Sequence, residues 1–297
     1  MSNVEEEGLK IADMSGKTVV VTGSNTGIGE VTAREIAGAG AKVIMACRSA
    51  ERAEPVAAAI RESTGNAQVE FMPLDLGSFA SVRDFGARWR ERGEAIDVLI
   101  NNAGLVTAGE TKDGFELCFG VNHLGHFLLT AELLDFVKEA AEAKGEARIV
   151  TVASRAHTRT DGIDFGAVQR PTKSTTAFPE YCVSKLANVL FSAELAKRLG
   201  PENPVHTYAL HPGVVASDIW RRVPWPFRSL MKMRMITNEE GALTSLHCAT
   251  SPEAGQQTGM YYDKSKPRKT SSSGADEALA RELWEQSERW VGRSFFA

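Results

Sequence analysis

The chain is poor in the residues that build covalent or metal-stapled folds. Of its 297 residues only four are cysteines, and Cys47, Cys118, Cys182 and Cys248 stand far apart. Without a Cys-x-x-Cys pair, neither a disulfide framework nor a zinc site is expected, and a reducing compartment is the expectation. No His-Glu-x-x-His or similar pattern is present, so no metal site is expected. No window of 18 uninterrupted apolar residues occurs, so no integral membrane segment is expected. The opening "MSNVEEEGLKIADMSGK" is acidic and lacks an apolar centre, and so reads as neither a signal peptide nor an anchor. A formal net charge of only −4 gives no general attraction to nucleic acid or anionic membranes. A hydrophobic fraction of 43% is that of an ordinary globular protein, and a cytoplasmic one is expected.

What the chain does have is alternation. Short, nearly continuous apolar runs ("KTVVVTG", "AKVIMAC", "AQVEFMPL", "IDVLINNAG", "ARIVTVAS", "PVHTYAL") read as parallel strands covered on both faces. Helical stretches such as "GIGEVTAREIAGAG" and "SFASVRDFGARWRERG" lie between them. The alternation predicts a single α/β domain, a Rossmann-type doubly wound parallel sheet over residues 17–262. Residues 1–16 read as a flexible tail. Residues 263–275 read as polar loop, and a last amphipathic helix follows, with Leu279, Leu283, Trp284 and Trp290 near one face.

The first βα junction carries the first chemical signal. "TGSNTGIG" places Gly23, Gly27 and Gly29 at the spacing Gly-x-x-x-Gly-x-Gly, between a strand and a helix. Glycines there allow a sharp turn and the approach of a pyrophosphate to free N–H groups at the helix N-terminus. A tight turn without ligand is the plain alternative; the position in a doubly wound pattern favours a dinucleotide. Gly23, Asn25, Thr26, Gly27, Ile28 and Gly29 are therefore candidate cofactor-binding residues. The second strand ends in "ACRS", with Cys47 where an NAD-preferring site has an acid, followed by Arg48. A guanidinium fork suits a 2′-phosphate, so NADP(H) is expected over NAD(H).

The motifs "TGSNTGIG", "LDLGSFASV", "NNAG", "VNHLGHFLLT", "IVTVASRAH", "YCVSK" and "LHPGVVASD", in this order, resemble the short-chain dehydrogenases/reductases over residues 17–262. "ACRS", "VNHLGHFLLT" and "YCVSKLANVLFSAELAKRL" look like the retinol-dehydrogenase-like branch. The resemblance implies roles for the matching positions. Asp75 and Leu76 would line an adenine pocket. Asn101, Asn102, Ala103 and Gly104 would sit by the cofactor and support the central strand. Pro212, Gly213, Val215 and Ser217 would border the nicotinamide end. Asn122, Ser154, Tyr181 and Lys185 would be the catalytic set, the last two also touching the cofactor.

In that reading Tyr181 is general acid for carbonyl reduction and base for alcohol oxidation. Lys185, one helical turn on, would favour the phenolate. Ser154 would donate to the substrate oxygen, and Asn122 would position a water that links Lys185 to solvent. The 26 residues between Ser154 and Tyr181 read as a loop at the active-site mouth. Residues 219–236 are basic and apolar, as a membrane-surface helix would be, but Pro224 and Pro226 break a long helix, and the resemblance implies a substrate lid there. Such a lid implies a small hydrophobic alcohol, aldehyde or ketone as substrate; retinoid, lipid aldehyde and steroid stay open. An NAD(H)-dependent enzyme and a non-catalytic NADP(H) sensor are the alternatives, and a homo-oligomer fits the resemblance. His123, His126 and His157 are assigned to packing or capping, and Cys182 to structure.

Overall fold

The computed structural model describes residues 11–214 and 236–296. The first half alternates β1 (Thr18–Thr22), α1 (Gly27–Gly38), β2 (Lys42–Cys47), α2 (Ala50–Thr64), β3 (Val69–Pro73), α3 (Phe79–Arg92) and β4 (Val98–Asn101). The second half runs α4 (Leu117–Lys144), β5 (Ala147–Val152), α5 (Phe178–Leu199), β6 (Val205–His211), α6 (Asn238–Thr250), β7 (Met260–Asp263), β8 (Lys266–Arg268) and α7 (Glu277–Val291).

Among the described residues the sheet order is β3-β2-β1-β4-β5-β6-β7-β8, parallel as far as β7. The chain winds outward from β1 to β3, then returns to place β4 on the other side of β1. The connections that leave the C-terminal ends of β1 and β4 therefore run in opposite directions, which is where doubly wound sheets open a ligand crevice. Two hydrophobic cores cover the two faces. One joins α3, α4, α5 and α7 through Trp89, Phe127, Phe191 and Trp284. The other joins α1, α2 and α6 through Ile36, Ala53 and Leu246. Val19, Val20 and Val21 of β1 are wholly buried, which explains their uninterrupted apolar run. Helix α4 is long and apolar enough to cross a membrane by length and composition, but 89% of its most apolar window is buried inside the fold.

Three sequence expectations are corrected. Met14, assigned to a flexible tail, is buried in the second core, and its N–H bonds the Ala39 carbonyl at 2.9 Å. The apolar runs omit β7, which is four residues long and pairs in parallel with β6. Residues 263–275, read as loop, contain β8, antiparallel to β7. The turn between them is Lys264-Ser265, both with positive φ (54° and 56°). A hairpin turn of that shape favours Asn and Gly, so "KS" gives no sequence signal for it.

The last helix closes the first core rather than standing apart. Asp276 caps it by accepting from the N–H groups of Ala278 and Leu279, and Gly292 ends it at φ 60°. Trp284 packs against Phe127, Phe191 and Phe295, with ring centroids 5.1, 5.9 and 4.5 Å away. The Arg198 guanidinium covers the same indole at 4.7 Å. Trp284→Ala is expected to destabilise the protein by about 3–5 kcal/mol. Equilibrium denaturation reads this as a lower midpoint, and an unchanged midpoint would mean that α7 is not part of the core.

Candidate active site

The crevice at the β1/β4 switch point is a cavity of about 840 Å³. The β1–α1 turn forms one wall, with Gly23, Asn25, Thr26, Gly27, Ile28 and Gly29 all lining it. Gly23 and Gly27 have φ of 63°, a conformation that side chains disfavour. A Cβ on Gly29 would collide with the Asn102 amide and lie 2.6 Å from the Gly23 carbonyl; one on Gly23 would lie 2.8 Å from the Ala103 Cβ. The glycines thus let the turn press against the loop that follows β4. At the head of α1, Thr26 makes no side-chain cap, and among the described residues no side chain accepts from the N–H groups of Gly27, Ile28 and Gly29. Uncapped donors at a positive helix end, facing a cavity, suit a diphosphate.

Hydrogen bonds join the turn to the β4 loop. The Thr22 hydroxyl oxygen accepts from the Asn102 and Ala103 N–H groups, both at 2.9 Å. The Asn102 amide donates to the Thr22 carbonyl at 2.8 Å. Asn102, Ala103 and Gly104 line the cavity, as do Asp75 and Leu76. Asn101 does not sit beside it: its side chain is buried and donates to the Thr130 hydroxyl of α4 at 3.0 Å. Alternation along β4 turns Asn101 to the face opposite its neighbour.

Past β2, Arg48 lines the cavity, together with Ser49 and Arg52, which sequence reasoning passed over. Ser49 caps α2 and Arg52 lies in its first turn, a placement that no local motif marks. Cys47 fills the position where an acid would read a ribose. Its thiol lies 3.5 Å from the Ser24 hydroxyl, and burial pushes its pKa up. Lys112 was also missed; it lines the cavity and pairs with Asp75 at 3.2 Å.

Tyr181, Lys185 and Pro212 line the same cavity. Both lie in the first turns of α5, and the Lys185 Nζ is 5.6 Å from the Tyr181 ring centroid. That Nζ donates to the Val152 carbonyl at 2.8 Å, just before Ser154 leaves β5. The Ser154 side chain lowers the Tyr181 phenol's pKa, and its Oγ accepts from the Ala156 N–H. Asn122 sits in a π-helical turn, Gly120–Leu124, that opens α4. Its side chain accepts from the Leu105 N–H at 2.9 Å and donates to the Leu105 carbonyl and the Ser184 hydroxyl, both at 3.0 Å.

The electrostatics differ from the expectation that Lys185 lowers the phenol's pKa. Burial pushes Tyr181 up to about 12, outweighing the lowering by Ser154. Burial likewise pushes Lys185 down to about 8. The ammonium lies 5.6 Å from the ring centroid and donates to the Val152 carbonyl, and burial, not its charge, is the largest cause of the phenol's shift. The phenol is therefore held in its protonated form at neutral pH, the form a general acid needs.

Gly213, with φ 101°, does not line the cavity; it packs against Ile236, whose N–H bonds the Val214 carbonyl at 3.0 Å. Val215 and Ser217 lie outside the described residues, as does the 219–236 lid apart from Ile236. The stretch between Ser154 and Tyr181 is held to the loop before α4. The Glu116 N–H bonds the Val168 carbonyl and the Gly109 N–H bonds the Thr172 hydroxyl, both at 2.9 Å. Among the described residues no group of three His, Cys, Asp or Glu side chains could hold a metal ion.

Comparison with known proteins agrees with this geometry. The family profile described as short chain dehydrogenase matches residues 17–225. Human Retinol dehydrogenase 13 is 40% identical over 291 residues, covering 95% of this chain and 86% of the relative. Human Retinol dehydrogenase 11 is 43% identical, covering 92% and 85%. An uncharacterized protein from Mycobacterium paratuberculosis superposes with a TM-score of 0.78 at 32% identity, covering 97% of this chain and 98% of its own. Pseudomonas aeruginosa RhlG, solved with NADP, gives 0.68 at 25% identity over 84% and 94%. The 3-ketoacyl-(acyl-carrier-protein) reductase from Brucella melitensis, solved with NADH, gives 0.65 at 27% over 84% and 96%. The chain belongs to the short-chain dehydrogenase/reductase family and is an oxidoreductase of alcohol and carbonyl groups. Within that family it falls in the retinol-dehydrogenase-like branch.

Proposed function

We propose that the protein is an NADP(H)-dependent oxidoreductase that interconverts a hydrophobic alcohol and its aldehyde or ketone, acting in the cytoplasm. The observation that carries this reading is that one cavity is lined both by the glycine turn with Arg48 and by Tyr181 with Lys185. Arg48 and Arg52 support a 2′-phosphate over a bare ribose, and the acid-free Cys47 position agrees. Gly23 to Gly29 would hold the pyrophosphate, Asp75 and Leu76 the adenine, and Pro212 with Val215 and Ser217 the nicotinamide end. Bound there, the dinucleotide supplies or accepts the hydride. Four unpaired, buried cysteines agree with a reducing compartment.

The chain's own groups handle the proton. In reduction Tyr181 donates its phenolic proton to the carbonyl oxygen, on which negative charge builds as the hydride arrives. Ser154 donates a hydrogen bond to the same oxygen, and donors fixed in advance lower that barrier. Lys185 keeps a positive charge beneath the site, and Asn122 holds the start of α4 against the β4 loop. Leu105, Val106, Leu117 and Val121 also line the cavity, which suits an apolar substrate, as do the names of the retinol dehydrogenase relatives.

Consumption of NADPH and NADH with a panel of hydrophobic aldehydes and ketones tests the reading. The parent should prefer NADPH, Tyr181→Phe should lose about 10²–10⁴-fold in kcat, and Arg48→Asp should lose the preference for NADPH. Cofactor binding without turnover of any carbonyl would favour a sensor. Undiminished turnover by Tyr181→Phe would remove the acid assigned here.

The pKa shifts set a pH dependence. Reduction needs protonated Tyr181, held up to about 12, and charged Lys185, held down to about 8. As pH rises, Lys185 loses its charge first. The reductive kcat/KM should stay level below pH 8 and fall above it, while a profile level to pH 10 would contradict the role of the ammonium.

A further inference from the structure

We propose that His126 is a positioning residue that ties the Asn122 carbonyl to the Thr22 hydroxyl, and so fixes the catalytic start of α4 against the wall of the dinucleotide cavity. The proposal rests on the roles proposed above for the cavity and for Asn122.

His126 lies inside α4, four residues after Asn122, and is wholly enclosed, with 1% of its surface exposed. Its Nδ1 is 3.0 Å from the Asn122 carbonyl oxygen, and its Nε2 is 2.9 Å from the Thr22 hydroxyl. A carbonyl only accepts, so Nδ1 carries the proton. Burial pushes the imidazole pKa down to about 4, so the ring is neutral and Nε2 is a bare acceptor. The Thr22 oxygen already accepts two backbone N–H groups. Its own proton is free to go to Nε2, which is nearer than the alternative acceptor, the Ile100 carbonyl at 3.4 Å.

A directed chain of bonds results: the backbone of Asn102 and Ala103 to Thr22, Thr22 to His126, and His126 to Asn122. The backbone beneath the ring is fixed as well. The Thr130 hydroxyl donates to the His126 carbonyl at 2.8 Å and accepts from the Asn101 amide. His123, three residues earlier, behaves differently. It meets Ser287 of α7 at 3.1 Å and sits among Phe119, Phe127 and Phe191, so it serves the core. The two histidines of "NHLGH" thus have separate work, and His126 alone joins the two ends of the site. Such a tie matters because small misplacements of groups around a reacting centre cost large factors in rate.

Two isosteres separate the halves of the tie. His126→Asn keeps a donor near the Nδ1 position and loses the acceptor toward Thr22. His126→Gln keeps an amide acceptor near the Nε2 position and loses the donor toward Asn122. NADPH titration followed by nicotinamide fluorescence, with turnover of a hydrophobic aldehyde, should show opposite patterns. His126→Asn should weaken the NADPH Kd about tenfold with kcat within about threefold; His126→Gln should lower kcat about tenfold with Kd within about twofold. A purely structural histidine would lower Tm in both variants and move Kd and kcat together or not at all, and that result overturns the proposal. Nitrogen-15 NMR of the unmodified protein should show the Nδ1–H tautomer of His126 from pH 5 to 8; an Nε2–H tautomer overturns it without any variant. An unmodified protein that binds neither NADPH nor NADH overturns the reading of the cavity and this proposal with it. One that binds, with variants matching it, overturns this proposal alone.

Discussion

The site depends on how closely the β1–α1 turn approaches the loop after β4. Thr22 is the centre of that approach: its hydroxyl takes two backbone N–H groups from Asn102 and Ala103, and its carbonyl takes the Asn102 amide. Each bond is worth about 1 kcal/mol net. Their effect lies in position, because they set the width of the crevice that strand order opens between β1 and β4. The glycines follow from the same constraint. A methyl group on Gly29 has no space against Asn102, and one on Gly23 meets Ala103.

Burying Lys185 opposes stability, since its exposure is 3% and its pKa falls to about 8. A cation at that depth is retained only where something holds it. Here the Val152 carbonyl accepts its Nζ, and Asn188 donates to the same oxygen at 3.2 Å. The aromatic core of α4, α5 and α7 anchors the helix that carries it. The distant packing of Trp284 thus supports the chemistry: α7 covers α5, and α5 presents Tyr181 and Lys185 to the cavity.

Much of the fold was legible because parallel strands buried on both faces leave apolar runs, and β1, β2 and β4 to β6 do so plainly. What escaped lacked such a trace. β7 is too short, β8 follows a positive-φ turn made of Lys and Ser, and Met14 belongs to the core although it lies within a polar stretch. That the β1–α1 turn lines the cavity was legible from glycine spacing, which reports a backbone need directly. Arg52, Ser49 and Lys112 reach the cavity only through the placement of α2 and of the loop before α4, which no local motif encodes. The resemblance of "NNAG" placed Asn101 beside the cofactor; strand alternation turns its side chain to the opposite face, where it bonds Thr130. The protonation balance of Tyr181 and Lys185 was not legible either, because it follows from burial depth and from the carbonyl that occupies the ammonium.

The central claim is that this one cavity brings a nicotinamide to a carbonyl held by Tyr181 and Ser154. The most direct measurement uses NADPH deuterated on a single face of the nicotinamide C4, with a hydrophobic aldehyde and mass spectrometry of the alcohol. A cavity that fixes the dinucleotide in one orientation predicts that the product carbon gains deuterium from one labelled face and none from the other. An alcohol that gains deuterium equally from both faces, or one formed without deuterium from either, would contradict the account.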